Sequence, residues 1–307
     1  MTALISFAEG EKHLDWLRLT DAFIAGHDLP RAEIADVFLY EGENTLLNRS
    51  AWIEGMGLAV KCATIFPANA KAGKPTIGGA VNLFSGADGT LEAIIDFHLV
   101  TKWKTAGDSL LGARKLARAD SKHILIVGAG TVGHSLHAAY TALFPDAEFT
   151  IWNRSRAGAE AFAAAHPGTH IADNLAQAVP AADIITCATM STNPIVKGEW
   201  LQPGQHIDLI GAYRPDMREA DDDVLRRGRL FVDSRASTIE HIGEIKTPIQ
   251  EGVISAEDVL ADYYQLDQMQ RNSDDEITVL KNGGGAHLDL MTSRFVLSAW
   301  QAASEVI

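Results

Sequence analysis

The stretch Ile124-Leu125-Ile126-Val127-Gly128-Ala129-Gly130-Thr131-Val132-Gly133 decides the fold. Four consecutive apolar residues, three of them β-branched, read as a buried strand, and the G-x-G-x-x-G after them reads as a turn opening a helix. Each glycine has a task there. Gly128 allows the tight bend, Gly130 lets backbone N–H groups approach a pyrophosphate, and Gly133 lets helix and strand pack closely. A Gly-rich run alone is weak evidence, but the helix pattern Thr131–Leu143 and the next strand pattern Glu148–Trp152 lie at the spacing a dinucleotide fold requires. Gly128, Gly130, Thr131, Val132 and Gly133 are therefore the expected cofactor loop.

The end of the second strand discriminates between cofactors. About 20 residues after the loop, a site preferring NAD usually carries Asp or Glu, which accepts from the ribose 2′-hydroxyl. This chain carries Asn153-Arg154-Ser155. A carboxylate would repel a 2′-phosphate, whereas Arg154 can make charge-assisted bonds to it and Asn153 and Ser155 neutral ones. The expectation is NADPH, with NADH possible; the bland reading is a solvated Arg154 and mixed specificity.

Working outward, strands and helices alternate from His123 onward, the pattern of parallel strands crossed over by helices. Further strands are expected at Asp183–Cys187, Gln205–Ile210 and Arg229–Val232, and helices at Arg156–Ala165 and Met217–Arg227. Before this region, a helix-compatible opening (Glu9–Ala25) precedes strand-like segments Gly57–Phe66, Gly79–Phe84 and Leu91–Phe97, read as a small α+β layer. Val100–Ala117 reads as a connecting helix, and Leu288–Ser304 as a last helix after Lys281-Asn282-Gly283-Gly284-Gly285.

Composition removes other classes. The chain has 307 residues, 47% hydrophobic and 21% charged, enough for about two domains with proper cores. Its net charge of −14 would repel a phosphate backbone, so nucleic acid is not an expected partner. No apolar run approaches a membrane span, and Met1–Gly10 lacks the basic start and long apolar stretch of an export signal. Cys62 and Cys187 form no CxxC pattern, which fits a reducing cytoplasm. His134 with His137 and His166 with His170 have helical spacing but no accompanying third ligand, so no metal is expected.

Several runs together resemble the ornithine cyclodeaminase/mu-crystallin family: Ala59-Val60-Lys61, Phe66-Pro67-Ala68-Asn69, Pro75-Thr76-Ile77-Gly78-Gly79, Thr101-Lys102-Trp103-Lys104-Thr105-Ala106, the Gly loop, and Gly211-Ala212-Tyr213-Arg214-Pro215-Asp216-Met217-Arg218-Glu219. The match runs in order from about Gly57 to Asp289. The resemblance implies an α/β homodimer in which a Rossmann-like unit, about 106–282, is inserted in a discontinuous α+β substrate and dimerisation domain, 1–105 with 283–307. It implies an active site in the cleft, with Lys61 at the substrate carboxylate and Thr76 and Thr105 beside the cofactor.

Where the family usually has Arg-Thr, this chain has Lys104-Thr105, a point charge in place of a two-pronged grip. Tyr213 stands where ornithine cyclodeaminases carry an Asp that handles the substrate amine, and Met217 where they carry a lysine. Tyrosine, with an ordinary pKa near ~10, is a poor base at neutral pH. Asp108, four residues beyond Lys104, is a candidate proton relay or a structural partner of Lys104 or Arg114. Gly283–Gly285 reads either as close backbone approach to a ligand or as a flexible entry to the last helix. His287 and Asp289 carry no expected catalytic role, and Trp103 reads as packing or as a stacking surface for a flat ring.

A hydride carrier, cations for a carboxylate and no evident amine-handling acid suit reduction of a preformed cyclic imine. The pattern is similar to the Δ1-pyrroline-2-carboxylate (ketimine) reductase group, with products L-proline and L-pipecolate. The expected catalytic residues are Lys61, Lys104 and Asp108. An ornithine-cyclodeaminase-like lyase keeping NAD bound, and a non-catalytic NADPH-binding protein, are the alternatives.

Overall fold

The computed structural model describes residues 2–304. The chain divides into two compact units, Met1–Lys104 with Gly284–Ile307, and Thr105–Gly283. Residues 305–307, the end of the segment expected to return to the first domain, lie outside the described residues.

The first unit starts with β1 (Ala3–Ile5), α1 (Phe7–Gly10) and α2 (Trp16–His27). A meander follows: β2 (Glu33–Glu41), β3 (Asn44–Ile53), β4 (Gly57–Ile65), β5 (Ile77–Phe84) and β6 (Leu91–Asp96), leading into α3 (Phe97–Leu116). The six strands form one sheet, ordered β1-β6-β5-β4-β3-β2, antiparallel except where β1 lies parallel to β6. Alternation sets the faces: on β4, Gly57, Ala59, Lys61 and Ala63 are buried while the residues between them are not. Lys61 thus lies on the core side of its strand.

The second unit is a seven-stranded parallel sheet, ordered β12-β13-β11-β10-β7-β8-β9. Its elements are β7 (His123–Val127), α4 (Thr131–Leu143), β8 (Glu148–Trp152), α5 (Arg156–Ala165), β9 (His170–Ile171), α6 (Leu175–Ala181), β10 (Ile184–Cys187), β11 (His206–Leu209), α7 (Asp222–Arg227), β12 (Arg229–Val232), α8 (Arg235–Thr238), α9 (Gly243–Gln250) and β13 (Thr278–Lys281). Strand order reverses between β7 and β10, and ligands of such sheets bind at the carboxyl ends beside that reversal. The last helix, α10 (Ala286–Ser304), belongs to the first unit and packs against α2, β3 and β4.

The α/β architecture is the expected one, with local corrections. The single opening helix over Glu9–Ala25 is broken: Leu14 is extended, and the Asp15 carboxylate accepts from Arg18 N–H at 2.9 Å, capping a fresh helix. The connecting helix begins at Phe97 because Asp96 accepts from the N–H groups of His98 and Leu99. The helix expected over Met217–Arg227 exists only as α7. Asp221 caps it at Val224 N–H, while the preceding backbone is tied elsewhere, as described below.

Candidate active site

In the second unit, Gly128 has φ +113°, and a side chain there would meet the Ala188 carbonyl oxygen at 2.7 Å. A side chain at Gly133 would run into the Gly128 carbonyl oxygen, so the helix and strand touch as the motif requires. Nothing lies within 4 Å of the corresponding position at Gly130. With the N-terminus of the 13-residue α4 behind this open turn, the residues present fit a dinucleotide pyrophosphate. Thr131 is exposed and Val132 half-buried at the helix start, and Thr105 is half-buried in α3.

Asn153 and Ser155 turn out to have local duties. The Asn153 Oδ1 accepts from Ala129 N–H at 3.2 Å, bracing the Gly loop, and the Ser155 Oγ accepts from Gly158 N–H at 3.3 Å, capping α5. Arg156 is held by Glu160 and Asp173. Arg154 is exposed at this strand end.

The histidine spacing read from the sequence joins differently in space. His134 Nδ1 and His166 Nε2 lie 2.7 Å apart, and the His137 ring stacks on His166. Burial, then repulsion from its two neighbours, holds the His137 pKa down to about 4. Among the described residues, no group of three or more His, Cys, Asp or Glu is arranged to hold a metal ion.

The first unit gathers Arg49, Lys61 and Lys104 near Asp289, with Arg49 also paired to Asp36 at 3.0 Å. Lys61 Nζ pairs with Asp289 Oδ1 at 2.9 Å, and both are buried. Burial is the main force lowering the Lys61 pKa, Asp289 raises it, and Lys104 and Arg49 lower it further, for a value of about 8. Burial pushes the Asp289 carboxyl up, but Lys61, Lys104 and Arg49 together carry it below the ordinary range. Lys104 Nζ and Arg49 Nη1 both donate to the Gly284 carbonyl, at 3.1 and 2.8 Å. Gly284 has φ +64°, and a side chain there would sit 2.6 Å from Lys104 Nζ, so this glycine brings backbone up to the cations. Thr76 is half-buried at the head of β5, its carbonyl accepting from Phe66 N–H.

Other candidates lie elsewhere in the two units. Trp103 is buried with its face against Trp16, ring centroids 3.8 Å apart, and its Nε1 donates to Glu11 at 2.6 Å, so it anchors α3 and offers no stacking face. Asp108 is fully buried in the second unit, where its backbone carbonyl accepts from the Tyr263 hydroxyl at 2.6 Å. Tyr213 is exposed, and Met217 is buried against Ala212 and Ile242. The neighbouring Arg214 is bonded to Asp216.

Two residues escaped the sequence reading. Arg49 is the direct cross-strand partner of Lys61, a relation visible only once β3 and its register are known. Asp289, given no catalytic role by the sequence, pairs with Lys61, and the glycine run before it is the signal that the chain turns back toward the cations here.

Fold and site define a two-unit α/β protein with a Rossmann-type sheet in one unit and a buried cluster of Arg49, Lys61, Lys104 and Asp289 in the other. Residues 50–304 match the ornithine cyclodeaminase/mu-crystallin family. The chain is 48% identical over 300 residues to the Delta(1)-pyrroline-2-carboxylate reductase of Paracoccus denitrificans, with 95% of each chain covered. It is 32% identical over 247 residues to the ketimine reductase mu-crystallin of Mus musculus, covering 80% of this chain and 77% of that one. An archaeal alanine dehydrogenase dimer with bound NAD superimposes with a TM-score of 0.88 at 26% identity, covering 100% of this chain and 97% of the other. The chain belongs to the ornithine cyclodeaminase/mu-crystallin family.

Proposed function

We propose that this chain is an NAD(P)H-dependent reductase of cyclic α-imino acids, converting Δ1-pyrroline-2-carboxylate to L-proline and, with a six-membered ring, Δ1-piperideine-2-carboxylate to L-pipecolate. The observation that carries the reading is the convergence of Arg49, Lys61 and Lys104 about buried Asp289 in a chain of this family. Arg49, Lys61 and Lys104 outnumber the carboxylates paired with them, Asp36 on Arg49 and Asp289 on Lys61, which leaves a net positive cluster suited to a small carboxylate. When bound, the reduced nicotinamide supplies the hydride. Arg49 and Lys104, which share one carbonyl acceptor, bind and orient the substrate carboxylate. Lys61, held by Asp289, donates a proton from Nζ to the ring nitrogen as the adjacent carbon accepts the hydride, and is reprotonated from water. Its pKa of about 8 keeps it protonated at neutral pH yet willing to give up the proton.

Asp108, wholly buried, belongs to the scaffold in this reading rather than to the proton path. The cofactor preference is NADPH over NADH, supported by exposed Arg154 at the strand end that lacks an acidic residue. The assembly is a homodimer: β2 is an edge strand exposed along its whole length, presenting Val37, Phe38, Leu39 and Tyr40. A cytoplasmic location fits two cysteines that are both free; among the described residues, no helix is long and apolar enough to cross a membrane.

The lyase reading loses its support at Tyr213 and Met217, one exposed and the other packed in a core. Supplying the cyclic imine with NADPH, and ornithine alone in parallel, tests the choice. Cofactor oxidation with the imine supports the reductase; ammonia from ornithine would reverse the assignment.

A further inference from the structure

Glu219 lies outside the residues assigned so far, yet its carboxylate accepts four hydrogen bonds at the carboxyl ends of the parallel strands. It is fully buried. One oxygen, Oε1, accepts from the Thr189 N–H at 2.7 Å and the Thr189 hydroxyl at 2.8 Å. The other, Oε2, accepts from the N–H groups of Gly211 and Ala212 at 2.7 and 3.2 Å. Thr189 follows β10 and Gly211 follows β11, so one carboxylate joins the loops of two neighbouring strands on the side of the sheet where strand order reverses.

The join is tight. A side chain at Gly211 would collide with the Thr189 backbone and with Glu219 itself. The β10 loop in turn touches the nucleotide turn, since Ala188 is the residue against which Gly128 must remain bare. Glu219 is braced from behind: Glu244 accepts from the backbone N–H groups of Glu219 and Ala220 at 2.6 and 3.0 Å. These backbone bonds also explain why the chain before Asp221 does not become helix. Two buried glutamates side by side are costly unless each is well bonded and a cation is near, and Lys281 is that cation for both.

We propose that Glu219 is a positioning residue for the dinucleotide: it fixes the β10 and β11 loops against the Gly128 turn so that their backbone meets the cofactor in one geometry. The proposal rests on the dinucleotide reading of that turn. Ligands of open parallel sheets lie in the crevice beside the order reversal, where loops from the central strands supply much of the contact. Rigid bonding of those loops lowers the ordering entropy that binding must otherwise overcome.

Glu219→Gln keeps the shape but places an amide N–H against donors on one side, so only one of the two loops stays bonded. The expected result is a rise of about tenfold or more in the Kd for NADPH, read by protein fluorescence, and in its KM, while the KM for the imino acid stays within about twofold. Thr189→Val, which removes a single bond to Oε1, should move the same constants in the same direction by a smaller factor, and the double variant should show less than the product of the two effects. An unchanged dinucleotide Kd in a folded Glu219→Gln protein with a lowered melting temperature would overturn the proposal and leave Glu219 as scaffold alone. If Glu219→Gln does not fold, an unchanged Kd in Thr189→Val overturns it. Failure of the wild-type chain to bind either dinucleotide would instead sink the reading on which the proposal rests.

Discussion

Replacing Asp289 by asparagine isolates the charge that holds Lys61 protonated. The pair is buried on both sides and 2.9 Å apart; at an effective dielectric of ~20 two unit charges at that distance attract by about 6 kcal/mol, the equivalent of roughly four pK units. An amide oxygen in the same place and local relaxation return much of that, leaving an expected drop in the Lys61 pKa of about 1–2 units. From a starting value of about 8, the lysine then titrates near 6–7. The direction follows from the proton balance: a lysine acid works while protonated, so kcat/KM falls as pH rises through its pKa, and the variant loses activity at lower pH than the wild type. Initial rates of reduced-dinucleotide oxidation should be lower by about tenfold or more at pH ~8.5 but by less than about twofold at pH ~5.5. An equal loss at both pH values would assign Asp289 to architecture, and a descending limb that stays where it was would remove Lys61 from the proton path.

Four further outcomes are expected. Arg154→Ala should lower the ratio of kcat/KM for NADPH to that for NADH by about 10–100-fold, the worth of a charge-assisted bond of roughly 1.5–3 kcal/mol; an unchanged ratio refutes the 2′-phosphate role. Gly133→Ala should force α4 away from the Gly128 carbonyl, costing about 1–3 kcal/mol in urea unfolding and raising the KM for either dinucleotide, whereas a neutral effect would mean the contact is loose. His206 is fully buried and titrates near 3, so below its ordinary pKa the unfolded chain takes up a proton that the native one refuses. Stability should therefore drop by roughly 1.4 kcal/mol per pH unit on acidification from about 6.5 toward 4, and His206→Asn should flatten that slope in unfolding titrations. Leu39→Lys on the exposed β2 strand should halve the mass measured by light scattering, and an unchanged dimer mass would place the interface elsewhere.

What could be read from the sequence was what physics encodes locally. The turn at Gly128–Gly133 is legible because strand, bend and helix each leave a signal within one short stretch, and a side chain would be refused at Gly128 and Gly133 while Gly130 faces open space. Strand β13 was missed: its four residues include Lys281, and a lysine argues for solvent, whereas here it is buried with Nζ donating to the Leu209 carbonyl at 2.7 Å. The helix over Met217–Ala220 was expected because composition allows it, and it fails because Glu219 and Ala220 give their N–H groups to Glu244, 25 and 24 residues away. The cationic cluster was half legible. Lys61 and Lys104 stand in recognisable runs, but Arg49 and Asp289 join them only through cross-strand register and the return of the last helix, relations between residues up to 235 positions apart.

The most direct trial of the central claim is to mix the purified chain with Δ1-pyrroline-2-carboxylate and NADPH and follow both cofactor absorbance and L-proline. Loss of absorbance matched mole for mole by L-proline is the predicted result, with NADH slower. No turnover with either dinucleotide across cyclic imino acids of both ring sizes, from a folded protein that binds NADPH, would contradict it.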